Sequence, residues 1–156
     1  MDGPALSLLK KLGARGLTLG SVESVTGGLF ASKICDNPGA SKFFKGSLVA
    51  YNNDLKTHLA DVMPETIETY GVVSQEVADE MALGGARLLG VDICISFTGN
   101  AGPGVEPGTA KAGDVYVAVA YDERGLYHFH WSFKGSRNLI RQQAVDKALE
   151  ELEALI

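Results

Sequence analysis

The sequence predicts a single three-layer α/β/α domain over residues 1–156, with a mixed sheet of about five strands and helices on both faces. Three observations lead there. Apolar runs of strand length (residues 17–22, 46–51 and 91–97) are interleaved with segments of helical apolar spacing. Two further runs, 114–121 and 126–133, flank Asp122-Glu123-Arg124-Gly125, a hairpin signal that requires at least one antiparallel pair. With 156 residues, 46% of them hydrophobic, the chain has enough apolar surface for one sizeable core.

In order along the chain, Leu6, Leu8, Leu9 and Leu12 mark a short amphipathic helix, closed by Gly13 or Gly16. Residues 17–22 read as a buried strand. A helix over about 27–35 stops at Asp36-Asn37-Pro38-Gly39, a strong turn signal. Residues 41–45 make a short aromatic turn before the strand over 46–51. Asn52-Asn53-Asp54 supplies N-cap candidates for a helix through Leu55, Leu59 and Val62, which must end before Pro64. Pro64 opens another short helix, stopped at Tyr70-Gly71. Ser74 caps the next, whose apolar positions Val77, Met81, Ala82, Ala86, Leu88 and Leu89 are close to helical spacing. Gly84-Gly85 inside it lowers helix propensity, so close packing or a bend is expected there.

The run 91–97 is almost unbroken, the mark of a strand covered on both faces. Residues 98–113 hold five glycines and two prolines, too many for a plain connector. A loop of that length in a small domain is usually functional or mobile. Gly135-Ser136-Arg137 leads into a terminal helix with Leu139, Ile140, Ala144, Val145, Ala148, Leu149 and Leu152 on its inner face.

A net charge of -5 argues against nucleic acid or an anionic membrane as partner. Cys35 and Cys94 form no CxxC pair, and Cys94 reads as a small buried hydrophobe. His128 and His130 share one strand face, but no carboxylate or third histidine lies close in sequence, so no metal is expected. No leader and no apolar run near 18 residues is evident, which predicts a cytoplasmic protein.

The segment Ser21-Val22-Glu23-Ser24-Val25-Thr26-Gly27-Gly28 concentrates the chemistry. It places Ser24 on a tight turn between a strand and a helix. Gly27 and Gly28 permit backbone angles that a Cβ forbids. The helix start offers free N–H groups to an anion or oxyanion. The plainer alternative, an N-cap after an ordinary βα turn, stays open at this point. Lys56 follows a strand ending in Tyr51, and a lysine of lowered pKa can act as base for a serine. The segment Ser96–Pro103 follows the central strand, where open α/β sheets bind ligands. Arg137 and Arg141 stand one helical turn apart, an arrangement suited to a phosphate.

Taken together, these residues resemble the CinA carboxy-terminal domain family, which includes nicotinamide-mononucleotide amidohydrolases. The resemblance runs through Glu23-Ser24-Val25-Thr26-Gly27-Gly28, Gly46 to Tyr51, Asn53 and Lys56, and Gly71-Val72-Val73-Ser74. It continues through Gly99, Ala101-Gly102-Pro103, Gly135, Arg137 and Arg141, and so covers almost the whole chain. It implies hydrolysis of the carboxamide of nicotinamide mononucleotide to nicotinate mononucleotide and ammonia. Ser24 is then the nucleophile, assisted by Tyr51 and Lys56. Thr26, Gly27, Gly28, Gly99, Ala101 and Gly102 are implied to line the substrate, with Arg137 and Arg141 on its phosphate. No cofactor is implied; the partner is a small-molecule nucleotide, and a homo-oligomer is compatible. Val25 stands where the family commonly has cysteine, Ser136 where it has an acid, and Thr98-Gly99-Asn100 where it has serine-glycine-isoleucine. The family often carries a separate amino-terminal domain, which these 156 residues do not include. The residues alone also admit a non-catalytic nucleotide-binding module of the same fold, or an amidohydrolase on another amide.

Overall fold

The computed structural model describes residues 3–122 and 124–156. Its sheet is built from β1 (Leu19–Glu23), β2 (Phe44–Val49), β3 (Ile93–Gly99), β4 (Asp114–Tyr121) and β5 (Gly125–Ser132). They hydrogen-bond in the order β2-β1-β3-β4-β5. β1 runs parallel to both of its neighbours, while β3-β4-β5 is antiparallel. The mixed five-stranded sheet is therefore as the sequence predicts. β1 and β3 are covered on both faces, and all five residues of β1 are buried.

Helices α1 (Pro4–Arg15), α2 (Leu29–Cys35) and α6 (Arg137–Leu155) cover one face. Their apolar sides, including Leu8, Leu12, Phe30, Ile34, Val145 and Leu152, close on Ile95, Phe97 and Val117 of the sheet. Helices α3 (Asn53–Ala60), α4 (Pro64–Tyr70) and α5 (Gln75–Leu89) cover the other, where Val77 and Met81 pack with Val22, Ala60, Val62 and Cys94. Cys94 is wholly buried, and burial pushes its thiol up to about 12, which keeps it inert.

The helix ends follow the capping chemistry. Asn52 accepts from the Leu55 N–H at 2.9 Å, Ser74 from Val77 at 3.3 Å and Ser136 from Leu139 at 3.2 Å. Gly16 and Gly90 close α1 and α5 in the left-handed conformation.

The Gly84-Gly85 pair resolves in favour of close packing. A Cβ on Gly84 would strike the carbonyl oxygen of Ala60, and one on Gly85 the side chain of Val22. These glycines let α5 lie directly on the end of α3 and on β1. Gly84→Ala is expected to destabilise the fold by about 3 kcal/mol, because a backbone oxygen cannot rotate aside. That loss outweighs the roughly 1 kcal/mol that alanine gains in helix propensity. Urea unfolding checks it; an unchanged midpoint would show that α5 can slide.

Four details depart from the sequence reading. Strand β2 begins at Phe44 and ends at Val49, leaving Tyr51 outside it. Helix α2 begins only at Leu29, because Gly27 (φ +57°) and Gly28 (φ +99°) are left-handed. Leu139 does not face inward: it is 46% exposed and lies over Gly135, since the first turn of α6 projects beyond the sheet. Each histidine on β5 has its own carboxylate, Asp79 for His128 at 2.9 Å and Asp114 for His130 at 3.3 Å. Among the described residues no group of three or more His, Cys, Asp or Glu is placed to hold a metal. No helix among these residues is long and apolar enough to cross a membrane. Of the hairpin turn between β4 and β5, Glu123 lies outside the described residues; Arg124 N–H donates to Tyr121 at 2.9 Å across it.

Candidate active site

Parallel strands end at the same edge of a sheet, so β2, β1 and β3 deliver their C-terminal continuations to one place. Ser24 follows β1, Tyr51 follows β2, and Asn100 and Ala101 follow β3. The start of α6 brings Arg137 to them. Between these segments lies a cleft with Ser24, Tyr51, Lys56, Glu106 and Arg137 on its walls.

Ser24 is held through its backbone. Its N–H donates to Phe97 O on β3, and its carbonyl accepts from Gly27 N–H, both at 3.0 Å. The turn is fixed from behind by Glu23, whose side chain is completely buried. The Glu23 carboxylate accepts from Phe30 N–H (2.9 Å), Ala31 N–H (3.1 Å), Ser47 Oγ (3.0 Å) and Ser21 Oγ (3.3 Å). A buried carboxylate is tolerable only with such a full set of donors. The start of α2, read from sequence as open to an anion, is thus occupied by the chain's own acid. The signal was present in the glutamate beside the turn, an acceptor preceding a helix start.

Lys56 is 2% exposed, an unusual state for a lysine. Its Nζ donates to the Tyr51 carbonyl at 3.2 Å. Loss of solvent lowers its pKa from 10.5 to about 8, against the opposing charge of Glu106. The Tyr51 hydroxyl does not join Lys56. It accepts from Arg137 Nη2 at 2.9 Å, so Tyr51 reaches the lysine through its backbone and the arginine through its ring.

The two arginines separate. Arg137 lines the cleft, and its Nη1 donates to Gly102 O at 3.1 Å. Arg141 turns back on the Ser24 turn: Nε donates to Val25 O (3.0 Å), Nη2 to Thr26 O (2.7 Å) and Nη1 to Asn138 Oδ1 (3.2 Å). The guanidinium is drawn to the carbonyls of the turn, Val25 O and Thr26 O, the latter also accepting from Leu29 N–H at 3.0 Å, so the two arginines do not point at one place. Gly99 and Ala101 line the cleft, whereas Thr26, Gly27, Gly28 and Gly102 stand outside its lining. Thr26 is fully buried, and its hydroxyl has no partner among the described residues.

Sequence reasoning holds Thr98 and Asn100 within the Ser96–Pro103 ligand segment and Val72 and Val73 within a matching motif without giving them a place in the site, and it passes over Glu106; all five line the cleft. Thr98 Oγ1 donates to Val72 O at 2.8 Å, joining β3 to the segment before α5. Asn100 Oδ1 accepts from Glu106 N–H at 3.0 Å and so pins the glycine-rich loop near its start. Glu106 is the one acid within residues 98–113, the only local sign that it has a task. A hydroxyl, an amine of lowered pKa, a carboxylate and a guanidinium thus share one cleft. That set suits acyl transfer from a small charged substrate.

The family model for the CinA C-terminal domain matches residues 3–156. A CinA-like protein of Thermotoga maritima is 39% identical over 152 residues, covering 97% of this chain and 36% of that one. A CinA-like protein of Desulfotalea psychrophila is 43% identical over 138 residues, covering 88% of this chain and 33% of that one. The chain spans about a third of the length of the curated relatives it matches. The crystal structure of a competence-damaged protein (CinA) superfamily protein from Escherichia coli superposes with a TM-score of 0.94. It is 31% identical, with 98% of this chain and 88% of that chain covered.

Proposed function

The chain belongs to the CinA C-terminal domain family, and on that premise we propose that it hydrolyses the carboxamide of nicotinamide mononucleotide to nicotinate mononucleotide and ammonia. The observation that carries this reading is a nearly dry lysine in the same cleft as a serine on a tight turn. With a pKa of about 8, roughly a tenth of Lys56 is neutral at pH 7 and able to take a proton.

In this mechanism Ser24 Oγ attacks the amide carbon as its proton passes to Lys56 Nζ. Backbone N–H groups of Val25 and Ala101, both residues of the cleft lining, are the candidates to hold the oxyanion. Lys56 returns the proton to the amide nitrogen, the C–N bond breaks and ammonia leaves an acyl-Ser24. Water, deprotonated by Lys56, attacks the ester; as the acyl C–O bond breaks Lys56 returns that proton to Ser24 Oγ, and the acid product leaves and ionises to the carboxylate. Val25, Val72 and Val73 provide apolar wall for the ring. Arg137 faces the phosphate, and Tyr51 orients Arg137.

The test is ammonia release from nicotinamide, its riboside, its mononucleotide and NAD. Preference for the mononucleotide supports the reading. Binding without ammonia from any of the four would make the chain a nucleotide-binding module instead.

The two arginines give a sharper expectation. Arg137→Ala should lower kcat/KM about tenfold to a hundredfold for the mononucleotide and hardly at all for the riboside, which has no phosphate. Arg141→Ala should penalise both substrates alike, because it loosens the turn that carries Ser24. Equal substrate ratios in wild type and Arg137→Ala would remove Arg137 from the phosphate.

A further inference from the structure

Three charged side chains line the cleft: Lys56, Arg137 and Glu106. The amidase reading uses the first two and leaves the carboxylate without a role. Glu106 is solvent-exposed, yet its backbone is anchored by Asn100, which is 4% exposed. Its charge reaches Lys56, where it favours the ammonium form. In the free protein this works against base chemistry, since an ammonium cannot accept the serine's proton. A cation arriving with the substrate reverses that effect.

Nicotinamide bonded to ribose through its ring nitrogen carries a full positive charge, whereas free nicotinamide is neutral. We propose that Glu106 is the specificity residue that recognises the positive charge of an N-substituted pyridinium ring, making the cleft selective for quaternised nicotinamides over the neutral base. The inference rests on the amidase reading for the identity of the ring. It rests on the structure for the placement of a carboxylate and a guanidinium in one cleft. Together these complement a zwitterion: carboxylate to pyridinium, guanidinium to phosphate. A second effect follows from the same contact. When the cation settles by Glu106, it offsets the negative charge felt by Lys56, while the ring displaces water from the amine. Both changes favour neutral Lys56, so the substrate readies its own base.

Binding is measured by calorimetry on Ser24→Ala protein, which cannot turn over its ligand, with nicotinamide and 1-methylnicotinamide as neutral and cationic probes of similar shape. The cation should bind more tightly. Adding Glu106→Gln should weaken the cation roughly fivefold and leave the neutral ring unchanged. Glu106→Asp should retain part of the preference. Raising salt on the Glu106 protein should weaken only the cation, a readout that needs no substitution at this position. In protein with Ser24 intact, Glu106→Gln should raise KM for the mononucleotide, largely spare kcat and move the ascending limb of the pH profile to lower pH. Equal loss of both probes, or no loss of either, would overturn the inference. If the mononucleotide yields no ammonia while the Glu106-dependent preference persists, the amidase reading falls and charge recognition stands. If ammonia is released but Glu106→Gln leaves the preference unchanged, the reverse holds.

Discussion

Ser24→Ala is expected to lower kcat/KM for amide hydrolysis by on the order of 10⁴-fold or more, with substrate binding and the fold retained. The size follows from chemistry: with no oxygen to acylate, the covalent route closes, and only positioning of water in the cleft remains. Retention of the fold follows from the hydrogen bonds. The two that fix the chain at position 24, to Phe97 and from Gly27, use backbone atoms that alanine keeps. The side chain is 9% exposed, and losing one oxygen leaves a gap that the cleft's own water can fill. Ammonia release under saturating mononucleotide, with circular dichroism and ligand titration in parallel, measures all three quantities. Near-wild-type turnover in a clean sample would remove Ser24 from the nucleophile's role.

Lys56→Met should be nearly as damaging to activity and should act oppositely on stability. Without a base the serine proton has no acceptor, and a loss of a hundredfold to ten-thousandfold is the ordinary scale for general-base removal. In the unsubstituted protein kcat/KM should rise with pH, with a midpoint near 8, as Lys56 becomes neutral. Lys56→Arg should not restore activity, since guanidinium keeps its proton throughout this range. The stability sign follows from linkage. The folded protein binds the Lys56 proton less tightly (about 8) than the unfolded chain (10.5). The destabilisation is therefore complete below pH 8 and is relieved as pH rises from 8 towards 10.5. Methionine carries no such burden, so near pH 7 the variant should be more stable by on the order of 1–3 kcal/mol. A variant less stable than its parent at pH 7 would mean that the bond to Tyr51 outweighs the desolvation.

The sequence made the elements easy to read where local physics decides them. The nearly continuous apolar run before Thr98 reads as a doubly covered strand, and β3 is one. Asn52, Ser74 and Ser136 sit before helical patterns, and each becomes a cap. Strand order was not legible, because the pairing of β1 with β3 joins residues some 70 positions apart and depends on how the intervening helices pack. The site divides the same way. Ser24, Tyr51 and Lys56 stand out locally, and the fold brings them to one cleft. The partners that orient them did not stand out. Arg141 looks from its spacing like a mate for Arg137, and only the nearness of the Ser24 turn to α6 gives it two carbonyls instead. Glu23 looked like part of a motif and proves to be the cap of α2.

The reach of Arg141 ties the shape of the Ser24 turn to completion of the fold. The contacts from Arg141 to Val25 and Thr26 span 116 and 115 residues. α6 also gives Ile140, Val145, Leu149 and Leu152 to the core on one face of the sheet, so without it that face stays uncovered. The elbow that aims the serine would meanwhile be unlatched. Closure over so long a loop comes late, since its entropy must be met before the contact forms. A chain lacking α6 would therefore lose a layer of its core, Arg137 from the cleft wall and the guanidinium that holds the Ser24 turn. One helix thus closes the core and steadies the Ser24 turn in the same act.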